Sequence, residues 1–473
     1  MMKKTLLLVA TLALTLFSCK RNEAADPMFW TWLEEVPEEG AEAVFARMEE
    51  AGLDAVMINV VSEENLREGI ELARKHHLAV YAWIKVLNLP KPEREFLLEH
   101  HPDWFSVNRE GESLKDTKAY VNSYKFLCPA HPDVRKYLVD KVEELCKIEG
   151  VEGFNLDYCR YVDRILPISL AHLYGIQEDG EVDPHLDFGY HPLMIGKFRQ
   201  QYGYDPRGQA DPTRDEKWSR FRCDQVTEVA NLMIDAAHRH GRKVTASPFP
   251  TPKMAAFMVG QDWGKWNLDY VHPMLYVHFY TMDPAFAFDC SVENRRDGNP
   301  ATKLMCGIDV ELGGDPATVF DKMDAAFRGG AQGVSLYTSE GLDTPELRAK
   351  FKVYADSLRA LRAANKGLVP FDAEAVEAER NPLAHKEMMR VIERNIQRMI
   401  AGEPLHADTV NGLAVDDPSK TYPALDLGPY ELVRKNDRLE VFTVEDRASG
   451  RRFEVWFLTY GDVVSGWDIL PTT

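Results

Sequence analysis

Short apolar runs alternate with helix-like segments through most of the chain, and this alternation constrains the fold more than any other feature. Eight such runs can be identified: residues 28–32, 55–60, 79–86, the run ending at 157, 243–249, 270–276, 304–310 and 333–338. Strands separated by helices favour parallel pairing, because a parallel connection needs a crossover. The pattern predicts the α/β class, as a closed (β/α)8 TIM barrel. A doubly wound open sheet is the alternative, but no glycine-rich phosphate loop follows any of the runs.

The helical segments and the last hundred residues define the domain organisation. Amphipathic patterns over residues 37–51, 63–77, 131–148, 219–240, 316–328 and 345–364 predict the barrel helices, and two long excursions cover residues 88–130 and 162–218. After residue 370 the pattern changes to one helix over 382–401 and alternating runs at 438–444 and 453–460. We therefore predict a barrel over residues 27–366 and a small α+β appendage over residues 371–473.

The first residues resemble a bacterial lipoprotein signal. Lys3 and Lys4 precede an apolar stretch over residues 5–17, and Leu16-Phe17-Ser18-Cys19 follows. That stretch is too short to span a bilayer and is typical of a signal peptide. We expect a signal peptide over residues 1–18, lipidation of Cys19, a tether over 19–26, and a lipid-anchored location in the bacterial cell envelope. An ordinary secreted protein with an incidental cysteine is the alternative.

Charge and cysteine spacing exclude several classes of function. The formal net charge of −19 over 473 residues leaves no basic surface for nucleic acid. The seven cysteines are scattered without a C-x-x-C pair, so buried thiols are expected rather than a zinc site or disulfide framework. The histidines form no His-x-x-x-His pair at a strand end, which disfavours a metal-dependent hydrolase. No cofactor and no metal are predicted.

The stretch over residues 150–164 carries the densest chemistry in the chain. A strand-like run ends at Asp157, and Tyr158, Arg160 and Tyr161 follow at once. In a barrel, working residues lie just beyond the C-terminal strand ends. Asp157 could instead cap the following turn, as Asp often does. Arg160 favours the functional interpretation, since a nearby guanidinium can hold the pKa of a carboxyl down.

The other strand ends supply aromatic and polar side chains. Aromatic rings beside hydrogen-bonding groups suit sugars, because pyranose faces stack on rings while hydroxyls pair with polar groups. A carbohydrate substrate is therefore expected. The predicted binding residues are Asn59, Trp83, Lys85, Arg160, Tyr161, Trp263, His272, Tyr276, Glu311 and Tyr337.

Glycoside hydrolysis needs two carboxyl groups across the scissile bond. Asp157 is the first, as nucleophile or general base. Glu340, Asp309 and Glu311 are the candidates for the second, and Glu340 ranks first because it directly follows strand eight. Asp262 is a loop-borne candidate, whereas Asp269 precedes strand six and is expected at the opposite face.

Several motifs, taken in order, resemble those of the glycosyl-hydrolase-like family 10 proteins. These are F-L-C-P-A-H-P-D-V-R-K-Y-L at 126–138, V-E-G-F-N-L-D-Y-C-R-Y at 151–161, H-P-D-W-F at 101–105, F-R-Q-Q-Y-G-Y-D-P at 198–206, F-R-C-D-Q-V-T at 221–227, and the stretch over 261–276. The resemblance implies a (β/α)8 barrel, an envelope location, glycan hydrolysis and, for some members, cutting of peptidoglycan strands. It also implies that Asp157 holds the acid position of strand four. Many members have two adjacent acids there, where this chain has Leu156-Asp157.

Two functions remain open on the sequence. One is an envelope-anchored glycoside hydrolase acting on a polysaccharide or a peptidoglycan glycan strand. The other is a glycan-binding or scaffold lipoprotein on a barrel that has lost turnover. A second carboxylate near Asp157 favours the hydrolase, whereas Arg and Lys alone around Asp157 favour binding.

Overall fold

The computed structural model describes residues 27–166, 171, 174–176, 181–281, 283–310, 318–364, 386–403, 409–410, 413–414, 420–428, 432–460 and 463–472. Eight parallel strands close into a barrel in sequential order, and this confirms the predicted fold class. The strands are β1 (Phe29–Leu33), β2 (Ala55–Asn59), β3 (Ala79–Lys85), β4 (Val151–Asp157), β5 (Lys243–Ala246), β6 (Tyr270–Val271), β7 (Lys303–Asp309) and β8 (Gly333–Tyr337).

Helices surround the barrel. In the described part of the barrel region they are α1 (Ala41–Ala51), α2 (Glu63–Lys75), α3 (Lys91–His100), α4 (Pro132–Leu145), α5 (Pro192–Tyr202), α6 (Glu216–Arg239), α7 (Pro252–Val259), α8 (Val277–Tyr280), α9 (Ala285–Asp297), α10 (Thr318–Arg328) and α11 (Pro345–Ala364). Local signals set their limits. The Ser62 side chain accepts a hydrogen bond from Asn65 N–H at the start of α2, and α1 ends at Gly52 in the left-handed conformation.

Alternation along the strands separates two cores. Side chains that face outward pack under the helices, whereas those that face inward fill the barrel. The inward-facing apolar cluster consists of Trp30, Trp32, Ala55, Met57, Tyr81, Trp83, Tyr270 and Met305. Gly153 on β4 makes room for this packing, since a Cβ there would lie 2.2 Å from the Lys243 carbonyl oxygen and 2.7 Å from the Tyr81 ring. The interior is a packed core rather than a pore.

Two strands are shorter than the sequence pattern predicts. β5 ends at Ala246 and β6 at Val271, whereas the apolar runs continue to residues 249 and 276. Pro248 and Pro250 follow β5, and Pro273 follows β6. Proline lacks the N–H that a sheet ladder needs, so it ends regular pairing at these points.

The C-terminal part forms a four-stranded antiparallel sheet in the order β11 (Leu432–Arg434), β12 (Leu439–Asp446), β13 (Arg451–Tyr460) and β14 (Val463–Pro471). One face packs on helix α12 (Lys386–Ile400), and Leu439, Val441, Leu458 and Val463 join the large core of the barrel region. The Trp467 indole N–H donates to the Thr281 carbonyl oxygen over 3.1 Å. A small hairpin, β9 (Thr409–Val410) with β10 (Leu413–Ala414), precedes the sheet. The predicted boundary between residues 366 and 371 lies outside the described residues and stays a prediction.

The predicted signal peptide over residues 1–18 and the whole tether over residues 19–26, including Cys19, also lie outside the described residues. Among the residues that are described, no helix has the length and apolar character required to cross a membrane. The six described cysteines are buried thiols, as expected from their spacing.

Candidate functional site

A group of polar side chains meets at the C-terminal edge of the barrel. The register of neighbouring strands brings them together. Asn59 on β2 pairs with Trp83 on β3, Lys85 on β3 pairs with Asp157 on β4, and Asp309 on β7 pairs with Tyr337 on β8. We call this group the rim; it consists of Glu34, Asn59, Lys85, Asp157, Asp309 and Tyr337. The position is the one at which (β/α)8 enzymes carry their active sites.

Asp157 is buried and held at both oxygens. The Trp83 indole N–H donates to Oδ2 over 3.0 Å, and the Tyr158 backbone N–H donates to Oδ1 over 2.6 Å. Tyr158 adopts a left-handed conformation with φ of 50°, which is uncommon for a bulky residue. The carboxyl is therefore fixed in orientation at the end of β4.

Burial dominates the acidity of Asp157. It raises the pKa of the carboxyl to about 6, although the hydrogen bonds from Tyr158 and Trp83 and the charges of Arg160 and Lys85 lower it. Arg160 lowers the pKa of Asp157, as predicted, but burial outweighs it and the net shift is upward. The main ionic partner of Arg160 is Asp163, at 2.9 Å between Nη1 and Oδ2.

Glu34 is a rim carboxylate that the sequence interpretation missed. It directly follows β1, and its Oε2 lies 3.3 Å from Asn59 Nδ2 and 3.6 Å from Lys85 Nζ. Lys85 Nζ also lies 5.2 Å from the centroid of the Trp83 ring. Lys85 therefore stands between Glu34 and the Trp83–Asp157 pair. The sequence feature that could have indicated Glu34 is its position directly after the first strand, where rim residues of a barrel lie.

Asp309 ends β7 and has defined partners on both oxygens. Val277 N–H donates to Oδ1 over 3.0 Å, and Lys322 Nζ donates to Oδ2 over 3.0 Å. The Asp309 and Lys322 side chains are 1% and 7% exposed. This buried ion pair compensates the charge of the carboxylate, which an apolar environment would otherwise disfavour.

Two stacked tyrosines lie at the same edge. The Tyr276 and Tyr337 rings are 5.3 Å apart with 24° between their planes, and Trp32 meets Tyr337 edge-on at 5.9 Å. Burial raises the pKa of the Tyr276 phenol well above its ordinary value, and Tyr337, Asp157 and Asp309 raise it further. Tyr276 is thus a neutral phenol within electrostatic reach of both Asp157 and Asp309.

Two predicted binding residues, Tyr161 and Trp263, have packing roles instead. The Tyr161 ring lies against Gly260, and its hydroxyl is 3.4 Å from the Arg222 carbonyl oxygen. Trp263 is 3% exposed and lines a small cavity with the outward-facing Val271 and Leu304, so it lies outside the barrel interior.

His272 lies deeper than the rim. It is fully buried, with Nδ1 2.8 Å from Ser335 Oγ and its ring 4.8 Å from that of Trp30. Burial lowers the pKa of the imidazole to about 3, so the ring is neutral. This placement opposes the predicted direct contact with substrate.

The side chains of two acid candidates, Glu340 and Glu311, lie outside the described part of the structure. Glu340 lies in a 3₁₀ turn, Ser339–Leu342, directly after β8, but its side chain is outside the described part of the structure. Glu311 is also outside the described residues. Their roles stay predictions.

Among the described residues, Glu110, Glu112 and His185 form a surface group with the side chains of a metal site. Ligand atoms of Glu110, Glu112 and His185 lie within 4.8 Å of one another. His185 Nδ1 already lies 3.0 Å from Glu112 Oε2, and Nε2 lies 2.9 Å from the Lys118 carbonyl oxygen. These hydrogen bonds, with a longer ion pair of 3.8 Å between His185 Nδ1 and Glu110 Oε2, account for the grouping.

Comparison with known families bears on the segment that includes Asp157. The model of the family Glycosyl hydrolase-like 10 matches residues 51–166. This confirms the resemblance over the part of the barrel that runs from the end of α1 past β4. No curated protein matches the sequence significantly.

Solved structures share the fold. The catalytic domain of β-amylase from Paenibacillus polymyxa superposes with a TM-score of 0.51 at 11% identity, covering 70% of this chain and 98% of that one. A chitinase from Chromobacterium violaceum gives 0.40 at 12% identity, covering 69% and 99%. An α-galactosidase from Lactobacillus brevis gives 0.43 at 8% identity, covering 91% and 46%. At such identities the first match supports the barrel fold, and the lower scores add nothing to it.

Proposed function

We propose that this protein is an envelope-anchored glycoside hydrolase that cuts a polysaccharide or a peptidoglycan glycan strand. The observation that carries the proposal is the environment of Asp157, a buried carboxyl with a pKa of about 6 at the C-terminal edge of the barrel. The match to a glycosyl hydrolase-like family over residues 51–166 supports the class of reaction.

Asp157 is best suited to general acid catalysis. A general acid works best when its pKa lies near the working pH, so that it is protonated before the reaction and can give the proton up. The proton would pass from Asp157 to the leaving glycosidic oxygen. This assignment replaces the role of nucleophile or base that the sequence suggested, because burial favours the protonated form.

Asp309 is the described carboxylate best suited to act opposite Asp157. Its ion pair with Lys322 compensates its charge, and Asp309 and Asp157 both raise the pKa of the Tyr276 phenol. In this role it would attack the anomeric carbon or activate a water molecule. Glu34 is a second candidate, as it is half-exposed and held by Asn59 and Lys85. Tyr276, Tyr337 and Trp83 would bind the sugar.

Asp309 also gives weight to the alternative, a glycan-binding lipoprotein without turnover. Both of its oxygens accept hydrogen bonds from the protein, which would have to be loosened before Asp309 could react. Such a protein would hold glycan at the rim without cutting it.

The envelope location rests on the first residues of the sequence. The apolar stretch over residues 5–17 and Cys19 support a lipid anchor, and an anchor there would hold the barrel close to cell-wall glycan.

Incubation of the purified protein with peptidoglycan and a panel of polysaccharides, followed by mass analysis of soluble products, tests the function. We expect new reducing ends and shorter glycans from at least one substrate. Glycan binding without any product would support the binding alternative instead.

A further inference from the structure

A row of tyrosines extends from Asp157 over the two long excursions. Tyr158 follows the carboxylate directly, and its ring lies 6.2 Å from that of Tyr124. The Tyr124 and Tyr120 rings are 5.3 Å apart, and the Tyr120 and Tyr174 rings 4.9 Å apart. We call Tyr158, Tyr124, Tyr120 and Tyr174 the tyrosine row. Its members come from three separate segments that the fold brings together beside the rim.

The buried ion pair of Arg160 and Asp163 contacts three members of the row. The Arg160 guanidinium lies 5.2 Å from the Tyr158 ring centroid and 5.6 Å from that of Tyr124. Asp163 holds this guanidinium and also accepts a hydrogen bond of 2.5 Å from the Tyr120 hydroxyl. Cation–π contacts and a charge-assisted hydrogen bond therefore fix Tyr158, Tyr124 and Tyr120 in place, and the Tyr174 ring packs edge-on against Tyr120. Little conformational entropy remains to be lost when a ligand binds to rings held in this way.

Tyr174, at the end of the row away from the carboxylate, is its most exposed member. Tyr158, Tyr124 and Tyr120 are half-buried, whereas Tyr174 at the far end is 44% exposed. Single exposed aromatic side chains are common on protein surfaces, whereas a contiguous aromatic surface such as this row marks a site for a ligand. Tyrosine offers an apolar ring face together with a hydroxyl, which is the combination that a sugar ring with its hydroxyls recognises.

We propose that the tyrosine row is a binding site for the part of a glycan chain that lies beyond the scissile bond, with Tyr174 at its outer end. The inference rests on the proposed function and deepens it, because it assigns the protein to chains of several sugars rather than to disaccharides. Sugars bound along the tyrosine row would hold a long chain in a fixed position relative to Asp157 at the rim.

Isothermal titration calorimetry of full-length Asp157→Asn protein tests the site, since this variant is expected to bind glycan without cutting it. The probes are chitobiose and chitohexaose, maltose and maltohexaose, and soluble glycan strands released from peptidoglycan. We expect at least one long probe to bind about tenfold tighter than its disaccharide. Adding Tyr174→Ala should reduce that ratio by about tenfold, and Tyr174→Phe should restore most of it.

Phe96 provides a matched control, because it is an aromatic residue on α3 that is 53% exposed and outside the row. Phe96→Ala should leave the ratio unchanged. Equal binding of long and short probes, or equal effects of Tyr174→Ala and Phe96→Ala, would overturn the proposal. If the wild type cuts no glycan while the Tyr174-dependent preference for long chains persists, the tyrosine row stands and the hydrolase function fails.

Discussion

The indole N–H of Trp83 donates a hydrogen bond of 3.0 Å to Oδ2 of Asp157, across neighbouring strands of the barrel. A donor to a carboxylate stabilises its charged form and lowers its pKa. Trp83 therefore opposes the burial that raises the pKa of Asp157 to about 6. The balance between burial and the groups that lower this pKa, Trp83 among them, sets the pH at which Asp157 can act as an acid.

Removing this donor should shift the pH dependence of activity. In Trp83→Phe the charged form of Asp157 loses a hydrogen bond, so the pKa of Asp157 should rise. If Asp157 acts as the acid, the alkaline limb of the kcat/KM profile should move up by about one pH unit. Kinetics on a verified glycan from pH 4 to 9 measure the shift. An unchanged limb, or one that moves down, would contradict the acid assignment.

The raised pKa also predicts a pH-dependent stability. The pKa of Asp157 rises from 3.8 to about 6 on folding, so the folded state binds more protons between these values. Asp157 therefore destabilises the fold as pH rises through this window. Wild type should lose about 1–3 kcal/mol relative to Asp157→Asn between pH 4 and 7. Urea unfolding of both proteins at several pH values gives this difference, and a constant difference would argue against a raised pKa.

The buried pair of Lys322 and Asp309 should be costly to break. Lys322→Met removes the positive charge that lies 3.0 Å from Asp309 Oδ2 in a buried site, which should cost about 3–5 kcal/mol in the free energy of unfolding. Lys350 is a matched control, since its pair with Glu346 is exposed and Lys350→Met should cost less than about 1 kcal/mol. Similar losses in the two variants, measured by urea unfolding, would show that Asp309 is not held as described.

Membrane attachment should depend on Cys19. Cys19→Ala removes the residue that would carry the lipid, so the protein should move from the membrane fraction to the soluble envelope fraction with an unchanged melting temperature. Cys128→Ala is the control, because Cys128 is a buried thiol and its loss should leave partitioning unaltered. Fractionation and immunoblotting measure the share of each variant in the membrane fraction. Membrane attachment that survives Cys19→Ala would argue against the anchor.

The sequence predicts the barrel and the neighbourhood of Asp157 well. Consecutive parallel strands are neighbours in a barrel, so the ends of β3 and β4 had to bring Trp83, Lys85 and Asp157 together. The inward direction of these residues follows from the period of two along a strand. Glu34 was overlooked because it begins an acidic stretch, Glu34-Glu35 with Glu38-Glu39 close behind, that resembles an exposed surface.

Other placements depended on contacts that sequence distance does not reveal. Arg160 is three residues from Asp157, yet it pairs with Asp163. Trp263 comes after strand five in the sequence, but the short helix α7 intervenes, and Trp263 lies in the segment that leads into β6. His272 follows β6 directly, but burial between Trp30 and Trp32 puts it beneath the rim.

The most direct test of the central claim compares turnover of wild type and Asp157→Asn on a natural glycan and on an activated aryl glycoside of the same sugar. We expect the variant to bind the glycan but to turn it over at least about a thousandfold more slowly, with a much smaller loss on the aryl substrate. A good leaving group needs little protonation, so this difference marks a general acid. Glu152→Gln, at an exposed position on β4, should behave like wild type. Near-normal turnover of the natural glycan by Asp157→Asn would contradict the assignment.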